Sequence, residues 1–373
     1  MKRTLFQYDT TILADSVEAI PNSEEGFDSS CPGRISWTKR LARAVEESPF
    51  TNSKREDNHV STFAHIDTSG VLDMKFNPER MGDNHLLAIA LSDGYLSLQP
   101  LSLSANEESM WGQAERLLVE DENTICLSVD WSNQMIADLN PQIAVSLSNG
   151  KMSVCGYREG SLEVLHKWNA HTLPYTTIPA EVWITSFDPQ DKNVVFSGGD
   201  DGILKQWDLR LQSTKPVMAC SEFEAGVTSM CWNKYDADYM TVGSYDGHVR
   251  LFDKRNIAHA VSDYDVQNNA GIWRIKYKHN TNYYLNAGRE APTQTRNELL
   301  LAAMRAGFIV MDYDEKRAFK ERVVYLEQGT ESLNYGVDYI YKKGADLEKK
   351  AGFVGSCSFY NHLMHVWSFD YSQ

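Results

Sequence analysis

An all-β fold, a propeller of seven blades closed by an N-terminal strand, is what this sequence predicts, on three observations. Two segments read as copies of one unit, Ser197-Gly198-Gly199-Asp200-Asp201-Gly202-Ile203-Leu204-Lys205-Gln206-Trp207-Asp208 and Val242-Gly243-Ser244-Tyr245-Asp246-Gly247-His248-Val249-Arg250-Leu251-Phe252-Asp253. Each is a short apolar strand, an Asp-Gly turn, an alternating strand and an aromatic-Asp ending. The copies lie about 45 residues apart, the period of a propeller blade. Blade-opening strands recur seven times along the chain, and an orphan strand at Arg3–Tyr8 is left over to supply the outer strand of the last blade. Such a strand closes the ring and leaves no free sheet edge.

The openings justify the blades in order. They begin at Asp15–Ile20, Val71–Phe76, Ile125–Trp131, Val182–Phe187, Val227–Trp232, Ile272–Tyr277 and Leu333–Asp338, each with alternating apolar residues. Hairpin signals follow at Ser92-Asp93-Gly94, Ser148-Asn149-Gly150, Asp200-Asp201-Gly202, Tyr245-Asp246-Gly247 and Arg305-Ala306-Gly307. Asp-Gly suits a two-residue type I′ turn, whose positive φ Gly supplies freely and Asp tolerates. The first blade is the least regular. Residues 21–58 are polar and carry Pro21, Pro32 and Pro49, which predicts an insertion, with a short surface helix over Arg40–Glu47. Further insertions are expected near 104–123, 173–179, 288–297 and 342–350, all within a single domain of residues 1–373.

Composition narrows the function classes. The chain has 36 Lys and Arg against 51 Asp and Glu, a net charge of −15. That argues against nucleic-acid binding, which needs a basic face, and suits either simple solubility or a basic partner. The six cysteines are scattered without a CxxC pair and read as reduced thiols of a cytoplasmic protein. The N-terminal residues lack the apolar stretch of a signal peptide, and no run is long and apolar enough to span a membrane.

Established catalytic motifs are missing. Gly355-Ser356-Cys357-Ser358-Phe359 fails the nucleophile-elbow pattern at its last position. No zinc-protease motif, phosphate-binding loop or dinucleotide fingerprint is present, and the histidines are not spaced as metal ligands. Neither a metal nor a cofactor is expected.

The last blade departs from the hairpin rule. It reads Ser356-Cys357-Ser358-Phe359-Tyr360-Asn361-His362-Leu363-Met364-His365, with Tyr360, Asn361 and His362 in a turn that lacks Gly. Either Asn361 takes the left-handed position, as Asn does elsewhere, or these side chains serve chemistry. Propeller geometry puts the hairpins on the same face as the loops leading into each blade. That face is expected to gather His171, Glu181, Asp200, Asp201, Tyr245 and Asp246, a setting for acid-base work. Structural readings stand beside the functional ones. His171 occupies the place of a histidine bonded to a Ser and the blade's terminal Trp. Asp201 and Asp246 are turn formers, and His365 alternates within a strand as a core residue does.

Taken together, these residues resemble the WD-repeat diphthine methyl ester hydrolases of eukaryotic diphthamide synthesis. The match includes Ala14-Asp15-Ser16-Val17-Glu18, Leu72-Asp73-Met74-Lys75-Phe76, Leu127-Ser128-Val129-Asp130-Trp131, Gly271-Ile272-Trp273-Arg274, Met304-Arg305-Ala306-Gly307-Phe308 and Cys357-Ser358-Phe359-Tyr360-Asn361-His362. One departure is local: Thr172 to Ala180 separate Ala170-His171 from Glu181-Val182-Trp183, which the family keeps close.

The resemblance implies hydrolysis of a methyl ester on the modified histidine of translation elongation factor 2, giving diphthine and methanol, with that factor as protein partner. The modified side chain carries a trimethylammonium group, which an aromatic and acidic pocket would hold. Tyr360, Tyr245 and Trp183 are the candidate walls, with Asp200, Asp201, Asp246 and His365 near them. His362 is the first candidate for general base, with His171 and Glu181 behind it. Cys357 and Ser358 are candidates for a nucleophile. The competing class is a non-catalytic adaptor, because Trp207-Asp208-Leu209-Arg210 resembles the box of ubiquitin-ligase substrate receptors. A pathway scaffold that binds the factor without catalysis is a further alternative.

Overall fold

A computed structural model describes residues 3–9 (backbone), 68–102, 111–211, 215–266, 270–278, 297–326, 333–340, 351–360 and 363–370. The expected opening at Asp15–Ile20, the helix over Arg40–Glu47 and the insertions at 21–58 and 342–350 lie outside these residues, as does most of 288–297.

Among the described residues the chain forms 24 strands in six four-stranded antiparallel sheets. After β1 (Arg3–Asp9), the first complete sheet is β2 (Val71–Phe76), β3 (His85–Leu91), β4 (Tyr95–Leu101) and β5 (Glu115–Leu118). Next come β6 (Cys126–Trp131), β7 (Gln142–Leu147), β8 (Lys151–Arg158) and β9 (Ser161–Asn169). The third sheet is β10 (Ile184–Asp188), β11 (Asp191–Gly198), β12 (Leu204–Asp208) and β13 (Met218–Cys220). The fourth is β14 (Val227–Trp232), β15 (Tyr239–Ser244), β16 (His248–Asp253) and β17 (Ser262–Asp265). The fifth is β18 (Arg274–Tyr277), β19 (Leu299–Ala303), β20 (Gly307–Tyr313) and β21 (Phe319–Tyr325). The last sheet contains β22 (Asn334–Tyr339), β23 (Ala351–Ser358) and β24 (Leu363–Asp370), and its fourth strand is β1, antiparallel to β24 from Arg3↔Ser368 to Asp9↔Leu363. The fold is therefore an all-β propeller with six described blades. Six of the seven expected openings are inner strands; the seventh falls where the chain is not described.

Two local expectations are corrected. Part of the insertion expected at 104–123 is β5, the outer strand of its blade, with Leu117 packed against the core below. The Asp-Gly turns are also not type I′. Gly94, Gly150, Gly202 and Gly247 have φ between 68° and 83°, yet no Asp or Asn in these turns has positive φ. The Gly closes a turn back to the residue three before it, as in Gly202 N–H to Gly199 O at 3.1 Å. The acidic residue contributes through its carboxylate instead: Asp201 accepts from Ile203 N–H at 3.2 Å and Asp246 from His248 N–H at 3.0 Å. A side chain that satisfies the backbone two residues on pins the turn without needing positive φ.

The inner strands pack against one another in chain order, and aspartates latch them. Asp73 of β2 accepts from Ser128 Oγ at 2.8 Å and Val129 N–H at 3.1 Å on the next blade. Asp130 of β6 repeats this with Ser186 Oγ at 2.9 Å and Phe187 N–H at 2.8 Å. Tryptophans reach back the other way, Trp131 to Lys75 O at 2.9 Å and Trp232 to Ser186 Oγ at 3.0 Å. Between blades lie apolar layers, such as Ile184, Phe196, Val227, Trp232 and Met240.

A second device fixes the third blade internally. Trp207 Nε1 donates to Ser197 Oγ at 2.8 Å, and Ser197 Oγ lies 2.7 Å from His171 Nε2. His171 Nδ1 lies 2.8 Å from Asp201 Oδ1, and Lys205 Nζ holds the other carboxylate oxygen at 2.9 Å. Burial pushes the His171 pKa down against the pull of Asp201. The ring is therefore neutral at cellular pH, accepting at Nε2 and donating at Nδ1. The last blade repeats the Trp–Ser part, Trp367 Nε1 to Ser356 Oγ at 3.2 Å. At the blade ends, Arg210 folds back onto Asp208 and Arg255 does the same onto Asp253. The Asp-x-Arg part of the box is thus a repeated ending of the third strand, preceded by Trp207 in one blade and Phe252 in the next.

The latch at Asp73 has a pH signature. Burial raises its pKa, but Arg274, Lys75 and the bonds from Ser128 and Val129 outweigh that and hold it below the usual carboxylate value. A carboxylate depressed in the folded state stabilises above its unfolded pKa, and that contribution is lost as pH falls through the folded value. Asp73→Asn should therefore cost roughly 3–5 kcal/mol at pH 7, as expected for breaking a buried charged pair. In denaturant unfolding the gap between wild type and variant should close below about pH 4. A gap that is small at pH 7, or constant with pH, would contradict the latch.

Candidate active site on the hairpin face

The site arises from a repeated irregularity. In β2, β6, β14 and β22 the pairing register skips one residue, which is Leu72, Leu127, Thr228 and Tyr335 respectively. A bulge of this kind re-aims the extra side chain out of the ladder. Aligned on backbone bonds, the same position falls to Trp183 just before β10 and Trp273 just before β18. The equivalent positions on successive blades are thus Leu72, Leu127, Trp183, Thr228, Trp273 and Tyr335, of which Leu127 and Thr228 are buried and the three aromatic residues are half-buried. The hairpins contribute a second row at the same end: Asp200 between β11 and β12, Tyr245 between β15 and β16, Arg305 between β19 and β20, and Phe359 and Tyr360 after β23.

These rows meet in an aromatic arc. Trp183, Tyr245 and Trp273 form a triangle with ring centroids 5.8–6.4 Å apart. Trp273 stacks on Tyr335 at 4.7 Å, Tyr335 meets Phe359 at 4.9 Å, and Phe359 meets Tyr360 at 5.1 Å. Trp183, Trp273, Tyr335 and Phe359 are half-buried, while Tyr245 and Tyr360 are exposed. Gly271 allows the triangle to close, because a Cβ there would stand 2.8 Å from the Tyr245 ring. Behind Trp273, buried Arg274 holds Leu72 O at 2.8 Å and pairs with Asp73 at 3.3 Å.

The acidic end of the arc is Glu181 with Asp200. Asp200 N–H donates to Glu181 O at 2.8 Å, and Trp183 Nε1 donates to Asp200 Oδ1 at 3.4 Å. Both side chains are exposed at the face. Partial burial raises the Glu181 pKa, and the charge of Asp200 raises it further. A carboxylate of raised basicity beside an aromatic floor is equipped to take a proton from water and to attract an organic cation.

Several residues expected at the site have other positions. His171 is 1% exposed with both ring nitrogens bonded, so it has no free lone pair to act as a base. Asp201 is in the same network, and Asp246 is taken up by Arg250 at 2.8 Å and by the backbone of Glu224 and His248. Cys357 and Ser358 are buried in β23, away from solvent. His365 is 1% exposed in β24 against the Tyr325 ring. In each case the strand period or the turn uses the side chain internally. His362 and Asn361 lie outside the described residues. Trp183, Tyr245, Tyr360, Glu181 and Asp200 do come together. Sequence reasoning missed Trp273, Tyr335 and Phe359 as part of the wall, although aligning the second position of each opening picks out Trp183, Trp273 and Tyr335. Among the described residues no group of His, Cys, Asp or Glu is placed to hold a metal ion.

Residues 163–208 and 214–253 match the family model described as WD domain, G-beta repeat. The mouse protein named diphthine methyltransferase is 30% identical over 357 residues, which are 90% of this chain and 69% of that protein. The chain belongs to the diphthine methyltransferase family. The human protein of that name is 29% identical, over 80% of this chain and 63% of its own length. A Dictyostelium discoideum homolog is 27% identical over 80% and 76%. The similarity supports a role in the diphthamide pathway as a methyl-modifying enzyme.

The arc itself is open to test. Tetramethylammonium should bind, followed by the cation's methyl resonance in NMR. Trp273→Ala should weaken that binding roughly 2- to 30-fold, the range for one cation–π contact. Equal affinity in the variant would remove Trp273 from the wall.

Proposed function

We propose that this protein is a carboxylic ester hydrolase that demethylates the methylated diphthine side chain of translation elongation factor 2, releasing diphthine and methanol. The observation that carries this reading is the junction of an aromatic arc with a carboxylate pair at one channel mouth. The arc of Trp183, Tyr245, Trp273 and Tyr335 supports a trimethylammonium group through the negative faces of its rings. Asp200 adds countercharge. That leaves the ester next to Glu181.

The steps follow from these groups. Glu181 takes a proton from water as the water oxygen attacks the ester carbonyl carbon. The tetrahedral oxyanion needs a cation or N–H donors. Arg305, exposed on the hairpin between those of Tyr245 and Phe359 and without an ion pair among the described residues, is suited to it. Collapse breaks the carbon–methoxy bond, and methoxide leaves as methanol with the proton from Glu181. The product carboxylate faces Glu181 and Asp200 and is repelled, which favours release. His362, in the turn after Tyr360, remains a second candidate base. The buried positions of Cys357 and Ser358 favour direct water attack over an acyl-enzyme. We also propose that residues 10–67 complete a seventh blade, so that β1 closes the ring within a single domain, and that the protein acts in the cytoplasm without nucleic acid or membrane. An adaptor reading draws on the Trp207–Arg210 box, but the same Asp–Arg pairing ends the next blade.

Methanol release from methylated elongation factor 2 by the purified protein separates the enzyme from an adaptor or scaffold. Glu181→Gln should slow it roughly 10²–10⁴-fold with folding intact. The base must be ionised, so the rate falls as pH drops through the Glu181 pKa, which lies above the ordinary value of 4.5. Asp200→Asn removes a like charge, lowers that pKa and should move the acid limb to lower pH. An unmoved limb, or normal turnover by Glu181→Gln, would shift the assignment to His362.

A further inference from the structure

The segment separating His171 from Glu181 forms a small, stiff projection beside the candidate site. Thr172 bridges Pro179, Leu173 N–H donates to Ile178 O at 2.9 Å, and Ala180 N–H returns to His171 O at 3.2 Å. Thr176 closes the tip, donating Oγ–H to Leu173 O at 2.9 Å and accepting from Ile178 N–H at 3.1 Å. Its base is anchored through His171 in the Trp–Ser–His–Asp network and by Gly150 O, which accepts from Ala170 and His171 N–H. The chain thus leaves and returns at one point, and Glu181 follows directly.

What the projection carries is apolar and unsheltered. Tyr175 sits at the tip with a relative exposure of 108%, and Ile178 is 57% exposed. Tyr175 also has φ of +62°, a conformation that a bulky residue adopts rarely and at a cost. An aromatic ring held in a strained backbone position, with nothing of its own chain to pack on, is a feature that folding does not explain. Backbone strain of this kind clusters at active sites and ligand clamps.

We propose that the 173–179 projection is a docking finger for the protein substrate, with Tyr175 and Ile178 gripping an apolar patch on a basic loop next to the modified side chain. The identity of the partner rests on the hydrolase reading. Continuity argues for a macromolecular substrate: the finger rises from the same residues that set Glu181, so a chain bound on it is delivered to the mouth. Charge argues for a basic loop, because Glu181 and Asp200 flank the finger's root and the chain as a whole is at −15.

The test uses two substrates and one binding measurement. Methylated elongation factor 2 is compared with betaine methyl ester, a small trimethylammonio ester that has no loop to dock. For Tyr175→Ala, the ratio of kcat/KM for the factor to that for the small ester should fall at least tenfold, with the change in KM for the factor. Tyr175→Phe should restore it. Tyr175→Gly, which relieves the backbone strain, should behave like Tyr175→Ala, so that a misfolded tip is not mistaken for lost contact. Equilibrium binding of the factor, read without turnover, should weaken to the same extent. Unchanged binding in Tyr175→Ala, or no binding by wild type, overturns the finger. Self-association lost in the variant while factor binding persists overturns it in favour of a second copy of this chain. If wild type binds the factor through Tyr175 yet hydrolyses neither ester, the reaction reading fails and the docking surface stands.

Discussion

One extra residue in the inner strand of a blade governs what this protein presents at its channel mouth. A regular antiparallel ladder would send alternate side chains into the two neighbouring inter-blade layers, where they would be core. The bulge takes the second residue of the strand out of that alternation. In blades where that residue is Leu72, Leu127 or Thr228 the consequence is only packing or polarity. Tyr335 at one such bulge, with Trp183 and Trp273 at the equivalent positions just before their strands, brings rings from different blades within contact distance and builds a surface no single blade could make. The aspartate latches tie β2 to β6 and β6 to β10 in the same way, fixing those adjacent inner strands relative to one another.

The acid–base character of the face follows from the same construction. Asp200 and Glu181 come from two loops of one blade, joined by a backbone bond, so their separation is set by the fold. Partial burial raises the basicity of Glu181, and the neighbouring Asp200 charge adds to it. The histidine nearest in sequence, His171, is held neutral and fully bonded beneath them. Of the two neighbouring candidate bases the sequence offers, the geometry thus favours the carboxylate of Glu181 over the imidazole of His171.

The repeat, the hairpins and the pairing of Arg3–Asp9 with the last blade were legible because period, turn residues and alternation are local signals. Turn type was not: Asp93 and Asp246 make their turns through side-chain bonds, which composition does not distinguish from positive φ. Of the residues gathered on this face, Glu181, Trp183, Asp200, Tyr245 and Tyr360 were legible from residue type. Tyr335 was hidden because its placement depends on a register skip, a property of pairing between strands rather than of either strand alone, and Trp273 because it lies just before its strand at the equivalent place. Cys357 and Ser358 misled because they are polar residues near an odd turn, and strand period places them in the core, as the alternation of His365 indicates for that residue.

The central claim is that water attacks an ester carbonyl at this mouth. The most direct measurement is the reaction of methylated elongation factor 2 in water enriched in oxygen-18, with mass spectrometry of both products. Attack at the carbonyl places one labelled oxygen in the new carboxylate of the factor and leaves the released methanol unlabelled. An unlabelled carboxylate, with the label in methanol or the methyl group on another acceptor, would mean that the bond to methyl is the one that breaks and would contradict the account.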